Sequence, residues 1–283
     1  MTRRRACLVV PAVPAAKLEK GRILEADEIV IDLEDAVVPD AKDEARVAVL
    51  EALSGEWAAP AVAVRVNSIG TPWCHQELAA LVMTEKPVTA VLPKVESALD
   101  LAFADRLLAG AEAASGRAEA VRLLALIETA AGLQAAGEIA GASARLDGLI
   151  LGYADLAASL GRSLEGDWRF AQEVVLTAAR AAGIDAIDGP QLQVRDDDAF
   201  RAAVAHASAL GFDGKWAIHP AQLDALREAF TPTEEEIAAA RATLEALDRA
   251  AADGAGAVAE GDRMLDEALA VSARRVLARA GEP

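Results

Sequence analysis

Short apolar runs recur along the chain, each ending in polar residues and followed by an Ala-rich stretch with helical spacing. Runs over 6–10, 28–32, 61–66, 88–92, 123–127, 146–151, 184–187 and 215–218 have strand length and read as buried on both faces. Between them, 15–25, 41–53, 74–83, 98–113, 129–139, 170–182 and 199–210 carry apolar positions three and four apart and predict helices. Eight such alternations predict an α/β fold, a (β/α)8 TIM barrel. A doubly wound sheet would want a Gly-rich turn after the first strand, and Pro11-Ala12-Val13-Pro14 is not one. After His219 the pattern changes. A helix over 234–249 capped by Thr233, a Gly/Ala-rich break over 253–261 and a last helix over 266–280 exceed what barrel closure needs. The expected organisation is a catalytic barrel over 1–225 and a helical extension over 226–283, serving as a lid or an arm onto a neighbour.

In such a barrel the strand C-termini gather at one mouth, where active sites are built. The stretch from Leu123 to Asp155 carries the strongest signal. One apolar run ends at Glu128 before Thr129-Ala130-Ala131-Gly132, and the next reaches Gly152-Tyr153-Ala154-Asp155 about one βα unit later. Two carboxylates aimed at one spot repel unless a cation lies between them, and a divalent metal is the common solution. Alternatively, each acid caps the helix that follows it. The other strand ends contribute Glu34, Asp35, Arg65, Asn67, Lys94, Glu96, Asp188 and His219. Arg65 sits inside a buried run, Val62-Ala63-Val64-Arg65-Val66, so its guanidinium needs either an anionic ligand or a salt bridge to Glu34 or Asp35. A cation held by two acids beside an arginine suits a small oxo-acid.

Weaker signals have plainer readings. Trp73-Cys74-His75 reads as loop packing, because zinc-type ligand spacing is absent. His219 before Pro220 reads as ordering its loop, and Lys94 with Glu96 as an ion pair at the barrel mouth. No GxSxG elbow or Walker loop supports a hydrolase or NTPase reading.

Composition narrows the partners. Hydrophobic residues make up 53% of the chain but aromatics only 4%, so Ala, Leu and Val must fill the core. A net charge of −17 repels phosphate backbones and argues against nucleic acid as a general partner. Two cysteines, Cys7 and Cys74, fit a reducing compartment. Arg3, Arg4 and Arg5 before an apolar run imitate a signal peptide, but Pro11 and Pro14 break the run too early. Nothing else approaches a membrane span, and the expected location is cytoplasmic.

Seven ordered motifs carry a resemblance over nearly the whole chain. They are Val9-Val10-Pro11, Ile31-Asp32-Leu33-Glu34-Asp35-Ala36-Val37, Val64-Arg65-Val66-Asn67, Leu92-Pro93-Lys94-Val95-Glu96, Ile127-Glu128-Thr129-Ala130-Ala131-Gly132, Gly152-Tyr153-Ala154-Asp155-Leu156 and Gly214-Lys215-Trp216-Ala217-Ile218-His219-Pro220. Their order resembles the citrate lyase β-subunit-like proteins, CoA-ester lyases of the HpcH/HpaI aldolase superfamily. The resemblance implies a Mg2+-dependent barrel that forms a homotrimer or a multiple of trimers. It implies that Glu128 and Asp155 bind Mg2+, that Arg65 with Glu128 meets the oxo-acid, and that Glu34 and Asp35 line the same site. Gly261-Asp262-Arg263-Met264-Leu265-Asp266 is similar to a family segment whose Asp reaches a neighbour's active site, although here it is one residue longer. The implied reaction cleaves a β-hydroxyacyl-CoA, such as citryl-CoA or malyl-CoA, to acetyl-CoA and a 2-oxo acid such as oxaloacetate. Glu34, Asp35 or a metal-bound water are the candidate bases, and Asp266 is the candidate acid in trans. An aldolase of free 2-oxo acids, a malate synthase-like or thioesterase activity, and a non-catalytic subunit are the alternatives.

Overall fold

The computed structural model describes residues 3–252, 254–260 and 263–281. It divides into two compact units, Met1–Arg227 and Glu228–Pro283. In the first, β1 (Ala6–Pro11), α1 (Ala15–Arg22), β2 (Glu28–Asp32), α2 (Lys42–Ser54), β3 (Ala61–Arg65), α3 (Cys74–Val82), β4 (Thr89–Leu92) and α4 (Ala98–Ser115) alternate along the first half. They are followed by β5 (Arg122–Ile127), α5 (Ala130–Gln134), α6 (Ala136–Ala140), β6 (Leu146–Leu151), α7 (Tyr153–Leu160), α8 (Arg169–Ala182), β7 (Asp185–Asp188), α9 (Asp198–Leu210) and β8 (Gly214–Ala217). The eight strands pair in parallel in chain order, and β1 closes on β8 with Cys7 opposite Trp216. The fold is therefore a (β/α)8 barrel.

The strands alternate between two apolar surroundings, which is why they read as continuous hydrophobic runs. Cys7, Val30, Ala63, Val91, Leu124, Leu126, Ile150, Ile187 and Trp216 point into the barrel and fill it. The intervening residues meet the helices, each of which turns one stripe inward. Phe200, Val204 and Ala207 of α9 and Ala171, Val175 and Ala179 of α8 are such stripes. The expected helix over 129–139 is interrupted at Ala135 into α5 and α6. Gly132 is required there, because a Cβ would lie 2.2 Å from the Val95 carbonyl oxygen, and glycine weakens the helix it serves.

The N-terminal face of the barrel is tied together by charge. Arg4, almost fully buried, reaches Glu28 at 3.1 Å, Asp185 at 3.0 Å and Asp147 at 3.4 Å. Gly214 lets the chain pass so near that a Cβ would lie 1.8 Å from the Arg4 carbonyl oxygen.

The second unit begins within α10 (Leu223–Phe230) and contains α11 (Glu234–Ala252), the short strands β9 (Val258–Glu260) and β10 (Arg263–Leu265), and α12 (Glu267–Ala280). α11 and α12 pack through Ile237, Ala240, Ala273 and Leu277. The Gly/Ala-rich segment expected to be an open break instead ends in a strand, with Val258 paired to Leu265 and Ala259 to Met264. Its low β propensity hid a pairing that β10 supplies. Asp253, Gly261 and Asp262 of the segments read above lie outside the described residues. No helix among the described residues is long and apolar enough to cross a membrane.

Replacing Arg4 with Met should destabilise the barrel by about 3–5 kcal/mol, because Glu28 would lose its partner in the interior. Urea unfolding measures this, and adding Glu28→Gln to the same chain should recover much of the loss.

Candidate active site

β2 and β3 run side by side with Asp32 opposite Arg65, so both side chains emerge at the same height inside the mouth. Arg65 Nε and Nη2 donate to Asp32 Oδ1 and Oδ2 at 2.8 and 2.7 Å, a two-pronged pair that fixes the guanidinium plane. Its remaining Nη1 faces Glu34 Oε2 at 3.1 Å and Asp35 Oδ2 at 3.6 Å. Glu34 Oε2 lies off the hydrogen-bond direction and is otherwise unpartnered. The salt-bridge reading of Arg65 thus holds for Glu34 and Asp35, but its tightest partner is Asp32. Burial works against the charge on Arg65, and the bonds to Asp32 outweigh it, so its pKa is raised further and it stays cationic.

The acidic loop is itself held firmly. Asp32 accepts from the backbone N–H groups of Glu34 and Ala36, at 2.9 and 3.3 Å. Buried Lys42 donates to the Leu33 and Glu34 carbonyl oxygens at 2.7 and 2.6 Å, while its ammonium sits 5.5 Å from the Trp73 ring centre. Asn67 bonds the Leu33 carbonyl and Glu77. Trp73 is therefore packing, as the sequence suggested, and no group of three or more His, Cys, Asp or Glu among the described residues is gathered to hold a metal alone.

Lys94 is the one non-glycine residue with positive φ among the described residues, at 51°. That conformation is unfavourable for a side chain and persists where neighbours over-determine it. Here it turns both donors of the residue onto acids. The backbone N–H donates to Glu128 Oε1 at 2.9 Å, and Nζ reaches Glu34 Oε1 at 2.6 Å and Asp155 Oδ1 at 3.4 Å. The expected partner Glu96 is not involved. It is exposed, and its backbone N–H donates to Asp100 Oδ2 in the capping box of α4. In an extended loop residues two apart share a face, and the left-handed turn at Lys94 departs from that arrangement and separates its ammonium from Glu96.

Glu128 follows β5 immediately and is 2% exposed. Asp155 is not at the end of β6 but in the first turn of α7, and is about one-third exposed. Burial, then the nearby charges of Glu34 and Asp155, push the Glu128 carboxyl up to about 8. Glu34 is raised as well, by burial, against the pull of Arg65 and Lys94. Glu34, Asp35, Arg65, Glu128 and Asp155 therefore share one mouth. Asp266 belongs to the C-terminal unit, where its Oδ1 accepts from Ala268 and Leu269 N–H and caps α12. His219 caps the short helix Pro220–Gln222 through Nδ1, as expected of a loop-ordering residue. Asp32 is the residue the sequence reading left out of the site, whereas Lys94 was expected at the mouth but with Glu96 as its partner. The signal for Asp32 was its place on β2 level with Arg65.

Next to these acids opens a cavity of about 590 Å3, lined by Arg65, Glu128 and Asp155 on one side and by Val9, Leu126 and Ile218 among its apolar residues. That is the size of a small-molecule site. Two carboxylates, one of them with its pKa raised by burial and then by its acidic neighbours, are oxygen donors suited to a divalent cation whose other positions go to water and ligand oxygens.

The model of the family described as HpcH/HpaI aldolase/citrate lyase matches residues 5–220, the barrel with all of these acids. The chain belongs to the HpcH/HpaI aldolase/citrate lyase family. As a member of that family it is a lyase. It is 36% identical to the L-malyl-CoA/beta-methylmalyl-CoA lyase of Rhodobacter capsulatus, over 93% of this chain and 90% of that one. To citrate lyase subunit beta of Escherichia coli K12 it is 38% identical, over 98% and 93%. Among solved structures of this kind, CitE of Mycobacterium tuberculosis in complex with magnesium, acetoacetate and coenzyme A superposes with a TM-score of 0.75 at 32% identity, covering 98% of each chain.

Without metal, protonated Glu128 is favoured by the fold between its ordinary 4.5 and about 8. The folded chain binds this proton more tightly than the unfolded one, so the associated stability is present at low pH and lost as pH rises through that window. Thermal unfolding of metal-free wild type should therefore fall relative to Glu128→Gln between pH 5 and 8.5. Equal pH profiles for the two proteins would contradict the assignment.

Proposed function

We propose that the chain is a Mg2+-dependent carbon–carbon lyase that cleaves a β-hydroxyacyl-CoA of the malyl-CoA or citryl-CoA kind to acetyl-CoA and a 2-oxo acid. The observation that carries this reading is the meeting of Arg65 with Glu128 and Asp155 at one wall of the cavity. The names of the relatives support the substrate class, and the magnesium, acetoacetate and coenzyme A of the CitE complex support the pairing of a metal with a CoA thioester.

Glu128 and Asp155 would hold the cation, and Lys94 would give up its contact with Asp155 to it. The bound cation supplies positive charge that stabilises oxygen as it becomes a keto group. Arg65, already oriented by Asp32, turns Nη1 to the carboxylate of the hydroxy-acid end. Glu34 or Asp35 accepts the hydroxyl proton. The electrons of that O–H bond form the new C=O, and those of the broken C–C bond pass to the thioester as an enolate. Protonation of its carbon releases acetyl-CoA. We assign that proton donor to Asp266 of a neighbouring subunit in a trimer, a role that would draw on the carboxylate now capping α12. Loss of metal binding in a clean fold would instead mark a non-catalytic subunit.

The test is cleavage of malyl-CoA and citryl-CoA together with calorimetry of Mg2+ and of pyruvate, glyoxylate and oxaloacetate. Arg65→Lys keeps the charge but loses the planar fork, so kcat/KM should drop roughly a hundredfold or more. Turnover of free 2-oxo acids with no response to any CoA species would replace the proposal by an aldolase, and thioester hydrolysis as the main product would replace it by a thioesterase. Mixing inactive Asp266→Ala with inactive Glu128→Ala should restore part of the activity if subunits share sites.

A further inference from the structure

A second buried polar cluster borders the same cavity and takes no part in the reaction above. Lys215, at the start of β8, and Asp188, at the end of β7, are each 1% exposed and stand opposite each other in the sheet. Lys215 Nζ lies 2.5 Å from Asp188 Oδ2 and also donates to the Gly189 carbonyl oxygen. The other oxygen, Asp188 Oδ1, accepts from the Tyr153 hydroxyl. That hydroxyl accepts in turn from Gln172 Nε2 of α8 at 2.8 Å, and the Lys215 ammonium sits 5.6 Å from the Tyr153 ring centre. Asp188 and Gln172 thus both meet the hydroxyl of Tyr153, the first residue of α7, whose first turn also carries Asp155.

Two glycines make this turn tight on both sides. A Cβ on Gly152 would fall 2.5 Å from Glu128 Oε2 and 2.6 Å from Glu128 Cβ. A Cβ on Gly189 would fall 2.0 Å from the Leu151 carbonyl oxygen and 2.9 Å from Tyr153 Cδ2. The segment from Leu151 to Asp155 is thus wedged between Glu128 and the end of β7. A buried ion pair is a weak source of stability, since apolar side chains of the same volume serve as well. What this one does is hold a phenol at a single place. We infer that Asp188 and Lys215 anchor Tyr153 as a positioning residue that sets Asp155 opposite Glu128 for the cation. The inference rests on the metal assignment made above.

Tyr153→Phe keeps the ring and its packing and removes only the anchored hydroxyl. Mg2+ affinity of the full chain is measured by calorimetry, with Mn2+ bound in its place read by electron paramagnetic resonance. The dissociation constant should rise about tenfold, in the range typical of residues that orient a ligand from behind. Asp27→Asn is the control. It cuts the Arg5 pair on the opposite face, where Arg5 Nη2 meets Asp27 at 2.8 Å, and should lower Tm while leaving Mg2+ affinity unchanged. If Tyr153→Phe does not fold, Gln172→Leu, which removes the donor to the hydroxyl, should weaken Mg2+ severalfold in the same titration. Two results separate the claims. If wild type binds no Mg2+, or Asp155→Ala binds it as wild type does, the metal assignment is wrong. If Asp155→Ala loses the metal while Tyr153→Phe binds like wild type, or weakens no more than Asp27→Asn, the anchoring role is overturned.

Discussion

Carboxylates crowded into a low-dielectric barrel mouth must be neutralised, and the architecture around the site follows from how that is done. Asp32, Glu34, Asp35, Glu128 and Asp155 surround two cations, Arg65 and Lys94. Arg65 commits two of its nitrogens to Asp32 and turns the third toward Glu34 and Asp35, while Lys94 divides itself among Glu34, Asp35 and Asp155. The charge is undercompensated, and the pKa of Glu128, the most enclosed acid near Lys94, is raised by its burial and then by the charges of Glu34 and Asp155. A site in that condition favours an added positive charge. The strained backbone of Lys94, the carbonyls fastened by Lys42 and the bare Cα of Gly152 are all means of bringing the acids closer than free side chains would come.

The two ends of the barrel use the same chemistry differently. At the N-terminal face Arg4 spans Glu28, Asp147 and Asp185, so that three strands are joined through one guanidinium. At the C-terminal mouth the acids outnumber their partners and face a cavity. Between these ends the apolar interior, capped by the Trp216 ring among Val30, Ala63, Leu124 and Ile187, separates the two charged layers. Barrel enzymes in general divide stability and reactivity between these two ends.

The eight alternations, the parallel barrel and the positions of Glu34, Asp35, Arg65, Glu128 and Asp155 at its mouth were legible in the chain, because strand periodicity and strand ends are local properties. A strand buried on both faces is written as an apolar run, and the polar residue that ends it is where the barrel opens. The family motifs are local in the same sense, and the match over residues 5–220 agrees with them. What local pattern could not carry was pairing across the barrel. That Arg65 binds Asp32 rather than only Glu34 or Asp35 depends on the register of β2 against β3. That Lys94 abandons Glu96 depends on one backbone angle. The pairing of β9 with β10 depends on residues from both sides of a turn, and the anchoring of Tyr153 on four elements that meet only once the barrel has closed. Sequence by itself determined which residues reach the mouth. Tertiary structure alone decided which of them touch, because contact there is set by strand register and helix placement, to which residues far apart in the chain contribute together.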